Sequence, residues 1–192
     1  MAIDTGLALD CAGLVEVGGL QNIYVTDLAN LTTVTAVSTP NVAHDYTALT
    51  YGTWAMFQLK PNTATWGTTS SKENGITKYE TTVQWYIPNI TTITSAILEN
   101  MKNKCIVAVG EFRSGVNLTC GISEVYGNSG FGTTDWIYNA TYATMTVEET
   151  RGSDFVDGNG ATVTLVASSF ETPRTYSGGI TPAAGNAQAA LA

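Results

Sequence analysis

The chain has 192 residues and a mass of 20.3 kDa, enough for one domain with or without terminal arms. Its residues are 44% hydrophobic but only 12% charged, about half of the roughly 25% charged residues of an average globular protein. This composition excludes collagen, coiled coils and charge-driven disorder. The net charge of −8 disfavours binding to nucleic acid phosphates and to anionic membranes.

The cysteines and the N-terminus bear on the compartment in which the chain folds. Cys11, Cys105 and Cys120 match no zinc-binding spacing and form no C-x-x-C pair, so we expect free thiols and folding in a reducing cytoplasm. Residues 1–5 lack the basic region of a signal peptide. The apolar stretch 7–20 is short and interrupted by acids, so no membrane segment is expected.

Threonine is the most unusual feature of the composition, with 31 residues, followed by 19 glycines. Thr, Val, Ile and Tyr favour half-buried pleated surfaces, whereas Gly and Asn favour turns. The sequence therefore predicts a domain dominated by β structure, a β-sandwich or partial barrel, whose outer faces are polar but uncharged. A low surface charge suits a protein that contacts copies of itself, because few ions need to be desolvated.

Three regions are predicted in chain order: an N-terminal arm (residues 1–19), a β-sandwich domain (20–176) and a C-terminal tail (177–192). Within the first half of the domain, alternating and apolar runs predict strands. These runs are 20–26, 31–37, 46–51 (a strand or an irregular connection), 54–59 and a pair within 64–87. The dipeptide Asn74-Gly75 predicts a tight turn within the last pair.

The second half begins with the one predicted helix, near residues 90–103. Apolar residues recur there at helical spacing and should cover a face of the sheet; they are Ile90, Ile93, Ile97, Leu98 and Met101. The continuous apolar run 104–112 predicts a buried central strand. Further strands are predicted at 116–126, at 139–150 and, as the last strand, at 161–168. Loops or turns are predicted at 127–134 and 157–160.

Residues that could carry chemistry do not form a recognisable site. His44 is the only histidine, and its neighbour Asp45 would point to the opposite face of a strand. Glu148 and Glu149 diverge for the same reason. Residues 154–160 lack the ordered spacing and the terminal glutamate of a calcium loop. We predict no catalytic, cofactor-binding or metal-binding residue, no required cofactor or metal, and no enzymatic activity.

The order of features along residues 14–170 resembles small virion structural proteins of tailed bacteriophages. Gly18-Gly19 leads into a first strand, the turn near Asn74-Gly75 leads into a long strand, and a helix runs directly into the apolar strand 104–109. The chain closes with a Gly/Asn turn and the strand 161–167. The pattern is most similar to tail tube proteins, especially those of phages of Bacteroidetes hosts.

The resemblance implies a β-sandwich subunit with one flanking helix. Six copies would close into a ring, and strands of neighbouring subunits would join into an inner barrel. The rings would stack into a conduit for DNA ejection, with the terminal arms docking on a neighbouring ring. It further implies contacts with other tail or neck proteins, a location in the virion tail and assembly in the host cytoplasm. DNA would pass without specific binding through an acidic bore, for which Glu80, Glu148 and Glu149 are candidate lining residues.

Other functions stay open from the sequence. The long C-terminal tail and the Thr-rich first strands depart from the tail tube pattern, and they leave room for a ring, collar or capsid-associated virion protein. A carbohydrate-binding β-sandwich could instead use Trp54, Trp66 or Trp136 as a stacking platform. A hydrolase built around His44 is the remotest of these hypotheses.

Overall fold

The fold is seen in a computed structural model, which describes residues 19–39, 43–51, 54–59, 62–123, 141–150, 159–180 and 182–187. The described residues form twelve strands, one short 3-10 turn and one α-helix in a curled, open half-barrel. The predicted class, all-β with one flanking helix, is therefore confirmed. The predicted loop at 127–134 and the first half of the predicted turn at 157–160 lie outside the described residues.

The first six strands are β1 (Leu20–Asp27), β2 (Leu31–Thr39), β3 (Ala43–Tyr51), β4 (Trp54–Gln58), β5 (Ala64–Glu73) and β6 (Ile76–Pro88). The 3-10 turn Leu28–Asn30 joins β1 to β2, and α1 (Thr92–Lys102) follows β6. The remaining strands are β7 (Ile106–Phe112), β8 (Asn117–Cys120), β9 (Ala143–Thr150), β10 (Gly160–Ser169), β11 (Thr175–Tyr176) and β12 (Pro182–Ala187).

Nine of these strands follow one path through the sheet, in the order β2-β3-β11-β8-β7-β9-β10-β6-β5. The other three branch from its centre, because β1 pairs with β7 on one edge and with β4 on the other, and β12 extends β4. Most pairings are antiparallel, while β11–β3 and β12–β4 are parallel. The path ends at β2 and at β5, so that within the described residues each of these two strands is paired along one edge only.

Strands β1 and β7 form a central two-stranded wall with a hydrophobic core on each face. Ile106 and Ala108 of β7 face one cluster, which is built around Trp85 and Leu165. Val107 and Val109 alternate with them and face the second cluster, which includes Tyr46, Trp54 and Tyr176. A strand buried on both faces must be a continuous apolar run, which is why the run at 104–112 predicts this strand correctly.

The β5–β6 hairpin projects from the domain. Asn74 and Gly75 both have positive φ angles, 51° and 83°, as a two-residue type I′ turn requires. From Thr68 and Thr81, whose hydroxyls are hydrogen-bonded to each other, to the turn, six residue pairs extend over roughly 20 Å, and most of their side chains are exposed. The hairpin predicted from the Asn-Gly dipeptide is thus confirmed, and most of its length lies outside both cores.

The helix α1 begins at Thr92, with Thr91 as its N-cap accepting a hydrogen bond from the Thr94 amide at 3.2 Å. The prediction that its whole apolar stripe covers the sheet is wrong. Leu98 is buried, but Ile93 is 74% exposed and Ile97 is 49% exposed. The helix packs chiefly against β9, and it buries only a narrow part of its stripe.

The prediction that 161–168 is the last strand is also wrong. Strand β11 pairs with both β3 and β8, and β12 runs parallel to β4. The Ser177 amide donates to the Tyr46 carbonyl at 3.1 Å. Residues 182–187 are mainly Ala, Gly and Pro, which have low intrinsic β propensity, and the parallel partner β4 overrides that preference.

Close packing at Gly110 generates a stability prediction. A Cβ atom there would lie 2.7 Å from Cζ3 of Trp66 and 2.8 Å from Cδ1 of Leu20. We expect Gly110→Ala to lower the free energy of unfolding by about 1–3 kcal/mol through overpacking. Urea denaturation measures the effect. Gly67→Ala is the control, because nothing lies within 4 Å of its Cβ position, and equal effects of the two variants would contradict this packing.

Candidate assembly surface

The outward side of strands β9, β10, β6 and β5 forms one continuous surface, here called the threonine face. Side chains alternate along each strand, so these positions face away from the core that holds Trp85, Val163 and Met145. Between the pairs made by Thr162 and by Ser168 of β10, the residues at these positions are Thr144, Thr146 and Glu148 on β9; Thr162, Thr164, Val166 and Ser168 on β10; Glu80, Thr82, Gln84 and Tyr86 on β6; and Thr65, Gly67 and Thr69 on β5. The same side continues beyond this face into the projecting hairpin, with Lys78 on β6 and Glu73 on β5. None of them is buried.

Hydroxyl groups of this face are partly engaged with the sheet itself. The Thr144 hydroxyl donates to the carbonyl of Val166 at 3.2 Å, and the Thr146 hydroxyl donates to the carbonyl of Thr164 at 3.4 Å. The side-chain amide of Gln84 donates to the Thr164 hydroxyl at 3.3 Å. These cross-strand bonds hold the side chains in fixed positions, so that the face is polar, ordered and without a cationic group.

The candidate bore-lining glutamates separate into two groups. Glu80 and Glu148 both lie on the threonine face and are its only charged side chains; they sit near diagonally opposite ends, where Glu80 pairs with Ser168 and Glu148 pairs with Thr162. Along β10 these ends are six residues apart, or roughly 20 Å. Glu149 lies on the opposite side of β9, where its Oε1 accepts a hydrogen bond from the Ser95 hydroxyl of α1 at 2.7 Å.

Within the described residues, both ends of the nine-strand path offer unpaired backbone groups. Strand β2 has nine residues and β5 has ten, so their outer edges are nearly equal in length. Neither strand contains proline, and their only charged residues are Lys72 and Glu73 beside the hairpin turn. Natural sheets usually protect free edges with proline, inward charges or bulges, because an open edge pairs readily with another chain. The β2–β3 ladder has register shifts between Leu31 and Thr33 and between Thr35 and Ala36, whereas β5 pairs with β6 without a shift.

A partly buried polar cluster stands on the central wall. Glu111 Oε2 accepts hydrogen bonds from the Tyr24 hydroxyl at 2.9 Å and from the Asn22 side-chain amide at 2.7 Å. Burial, and next the hydrogen bond to the Glu111 carboxylate, raise the pKa of Tyr24 to about 12. A tyrosine with this pKa is neutral at physiological pH and acts as a hydrogen-bond donor, so the cluster fixes β1 against β7.

A second cluster attaches the segment before β11 to the domain. The side chain of Arg174 is only 2% exposed; its Nη2 lies 3.0 Å from Glu171 Oε2, and its guanidinium carbon lies 5.0 Å from the ring centroid of Tyr46. The Ser123 hydroxyl donates to the other Glu171 oxygen at 2.6 Å. Sequence reasoning missed this cluster, because Glu171 and Arg174 lie outside any helix and their spacing gives no periodic signal.

The remaining candidates for chemistry are not brought together. The Asp45 carboxylate accepts hydrogen bonds from the hydroxyls of Thr175 and Ser177, so it serves the β3–β11 contact. Burial raises the pKa of Cys120 to about 12 and also raises the pKa of Cys105. Both thiols therefore stay protonated, and the reactive thiolate form is disfavoured at each. Among the described residues, no group of three or more potential metal ligands occurs.

Tryptophan positions weigh against a sugar-stacking platform. Trp54 is 3% exposed and Trp85 is fully buried, so neither ring can stack on a sugar. Trp66 is half-buried, with its ring centroid 5.8 Å from that of Phe112 in an edge-on contact. Trp136 lies outside the described residues. In the part of the chain that the structure describes, the tryptophans serve packing.

Comparison of the chain with protein-family models, with curated proteins and with solved structures finds no match. No helix among the described residues combines the length and the apolar character needed to cross a bilayer. The features of the described chain that bear on function are therefore the threonine face and the free edges of β2 and β5 at the ends of the nine-strand path.

The Tyr24 cluster predicts a specific pH dependence of stability. The folded-state pKa is raised above the unfolded value, so the stabilisation is fully present below pH 10 and is lost as the pH rises from 10 through 12. The free energy of unfolding of the wild type should fall more steeply over this range than that of Tyr24→Phe. Urea denaturation at successive pH values measures both, and a constant difference between the two proteins would contradict the assignment.

Proposed function

We propose that the chain is a non-enzymatic structural subunit of a tailed-phage virion, most similar to a tail tube protein, that assembles into rings by pairing sheet edges. The observation that carries this proposal is the pair of free edges at the two ends of one nine-strand path. A subunit with edges of nearly equal length at opposite ends can join a neighbour by placing its β2 beside the neighbour's β5. The contact is heterologous, and repetition by rotation closes a ring.

Closure would satisfy backbone groups that the isolated subunit exposes to water. Pairing of nine residues along an edge of about 30 Å joins two sheets into one, as in β-augmentation. The low charge of both strands makes this contact inexpensive to desolvate, since ions are costly to bury. The resemblance implies six copies to a ring and a stacked tube.

The threonine face supports a role as the surface past which DNA moves. It carries fourteen positions across four strands, with two carboxylates and no cation, while Lys78 lies on the same side of β6 beyond Glu80, in the projecting hairpin. Non-specific DNA affinity comes almost entirely from Lys and Arg contacts to phosphates. A neutral hydroxyl surface with isolated acids therefore provides no holding contacts, and Glu80 and Glu148 are the candidate bore-lining residues that share this face.

A collar protein, another ring protein or a capsid-associated protein would use the same edge pairing, so identifying the particle that contains the chain would distinguish among these roles. Negative-stain electron microscopy of the purified chain at increasing concentration tests the proposal. Rings or stacked tubes are expected, whereas a uniform population of single subunits at every concentration would reject it.

Blocking one edge should abolish assembly without unfolding the subunit. The two-residue turn makes Glu73–Ile76 a hydrogen-bonded pair, and the alternation along the ladder leaves the Ser70 amide pointing away from β6. Ser70→Pro removes this outward N–H and should prevent ring formation, while Ser70→Ala keeps the amide and should assemble normally. Electron microscopy with circular dichroism reads both properties, and normal rings from Ser70→Pro would exclude pairing at β5.

The assignment of the threonine face to the bore gives a matched charge test. Glu148→Lys and Glu149→Lys change the net charge equally, but only Glu148 lies on that face. Assembled Glu148→Lys should retain duplex DNA in co-sedimentation at low salt and release it as salt rises, because each subunit adds a cation along the DNA path. Glu149→Lys should retain markedly less, and equal retention would place the bore elsewhere.

A further inference from the structure

A groove beside α1 is a largely apolar recess that neither core fills. It has a volume of about 310 Å³ and lies between the helix, the end of β1 and β4. Its apolar walls come from Val25, Ala55, Ile97, Met101 and Ile106, and the ion pair between Lys104 Nζ and Asp27 Oδ2, 2.9 Å apart, stands at its rim. This size falls at the lower end of ligand clefts, about 300–1,000 Å³.

The helix extends this recess into a longer apolar strip. Ile93, Ile97 and Met101 succeed one another at intervals of four residues and therefore lie on one side of α1. Ile93 is 74% exposed and Ile97 is 49% exposed, although the helix caps, the neighbouring strand and Leu98 fix the helix firmly in place. The strip and the groove form one surface with room for several apolar side chains of another segment.

The N-terminal segment has an apolar composition that suits this surface, and it joins the domain at a position from which it could fill the surface of another copy. Residues 7–17 read LALDCAGLVEV, a run of large apolar residues with two acids and no base. The chain enters the described structure at Gly19, whose carbonyl accepts a hydrogen bond from the Arg113 amide at 3.0 Å. Gly19 precedes β1, whereas the groove lies at the far end of β1, about 23 Å away for seven residues of strand.

Both edges of β1 are paired along Asn22–Val25, with β4 and with β7, so the segment cannot run back to its own groove as a strand beside this part of β1. We propose that residues 7–17 bind the groove and strip of α1 in a neighbouring copy, an inference that rests on the proposed function and names the partner of its arms. The segment leaves the domain at one end of β1, and the groove that would bind it lies at the other end. The contact is therefore head-to-tail, so that successive copies or rings can be linked.

The test uses a fluorescent peptide of residues 5–18 and the chain lacking residues 1–17, with anisotropy as the readout. The peptide should bind saturably. Ile97→Ser in the truncated chain should weaken binding about tenfold or more, as expected for one lost apolar contact of this size. Ile76→Ser is the matched control, because Ile76 is 59% exposed on the distant hairpin, and it should leave binding unchanged. No binding, or equal loss in both variants, would overturn the proposal.

The full-length chain distinguishes a neighbour's groove from the chain's own. When dilute, it should bind the peptide as the truncated chain does, and when assembled it should not. Failure to bind at any dilution would show that residues 7–17 occupy their own groove and would overturn the proposal. Ring formation by a truncated chain that binds no peptide would reject this inference alone, whereas peptide binding by a chain that never assembles would reject the proposed function.

Discussion

The pairing of β1 with β7 is the constraint on which the rest of the fold depends. Because both faces of this wall are apolar, the remaining strands must cover both, and a single sheet can do so only by curling around its centre. One arm of the sheet, through β9, β10 and β6, covers the first face, and the other arm, through β8, β11 and β3, covers the second. The curl buries the apolar faces of the wall, while β2 and β5 remain as the two ends of the nine-strand path.

The same arrangement explains why the outward side of this arm is polar with few charges. Residues that face the first core from β10 are small or branched apolar side chains, while the alternate positions carry Thr162, Thr164, Val166 and Ser168, three of which are β-branched and fit the pleat. Charges would keep such a surface apart from sister copies and would be costly to bury at the ends. A sheet whose end strands carry few charges is therefore compatible with the proposed pairing of subunits along their edges.

Local signals in the sequence predicted the elements well. The Asn74-Gly75 turn between alternating runs, the continuous apolar run of β7 and the helical spacing after Pro88 each encode one element through its own periodicity. The location of Glu80 and Glu148 on the same side of the sheet also follows from the alternation of side chains along each strand, but only once the register of the four strands is known. That register depends on partners distant in the chain.

Other features had no local signal. Burial of Arg174 against Tyr46 and the pairing of β12 with β4 arise from tertiary contacts between distant residues. The exposure of Ile93 and Ile97 could not be predicted either, because an apolar stripe shows that a helix has a face to cover but not how much of that face its neighbours reach. The candidate groove is a consequence of that incomplete cover.

Hydrogen–deuterium exchange at the two sheet edges, compared between dilute and concentrated solutions of the full chain, tests edge pairing most directly. The account predicts that amides of β2 and β5 that point outward from the sheet exchange rapidly in dilute solution and become protected together on concentration, while those of the central wall stay protected throughout. Exchange at both edges that is independent of concentration, in samples shown to contain oligomers, would contradict it.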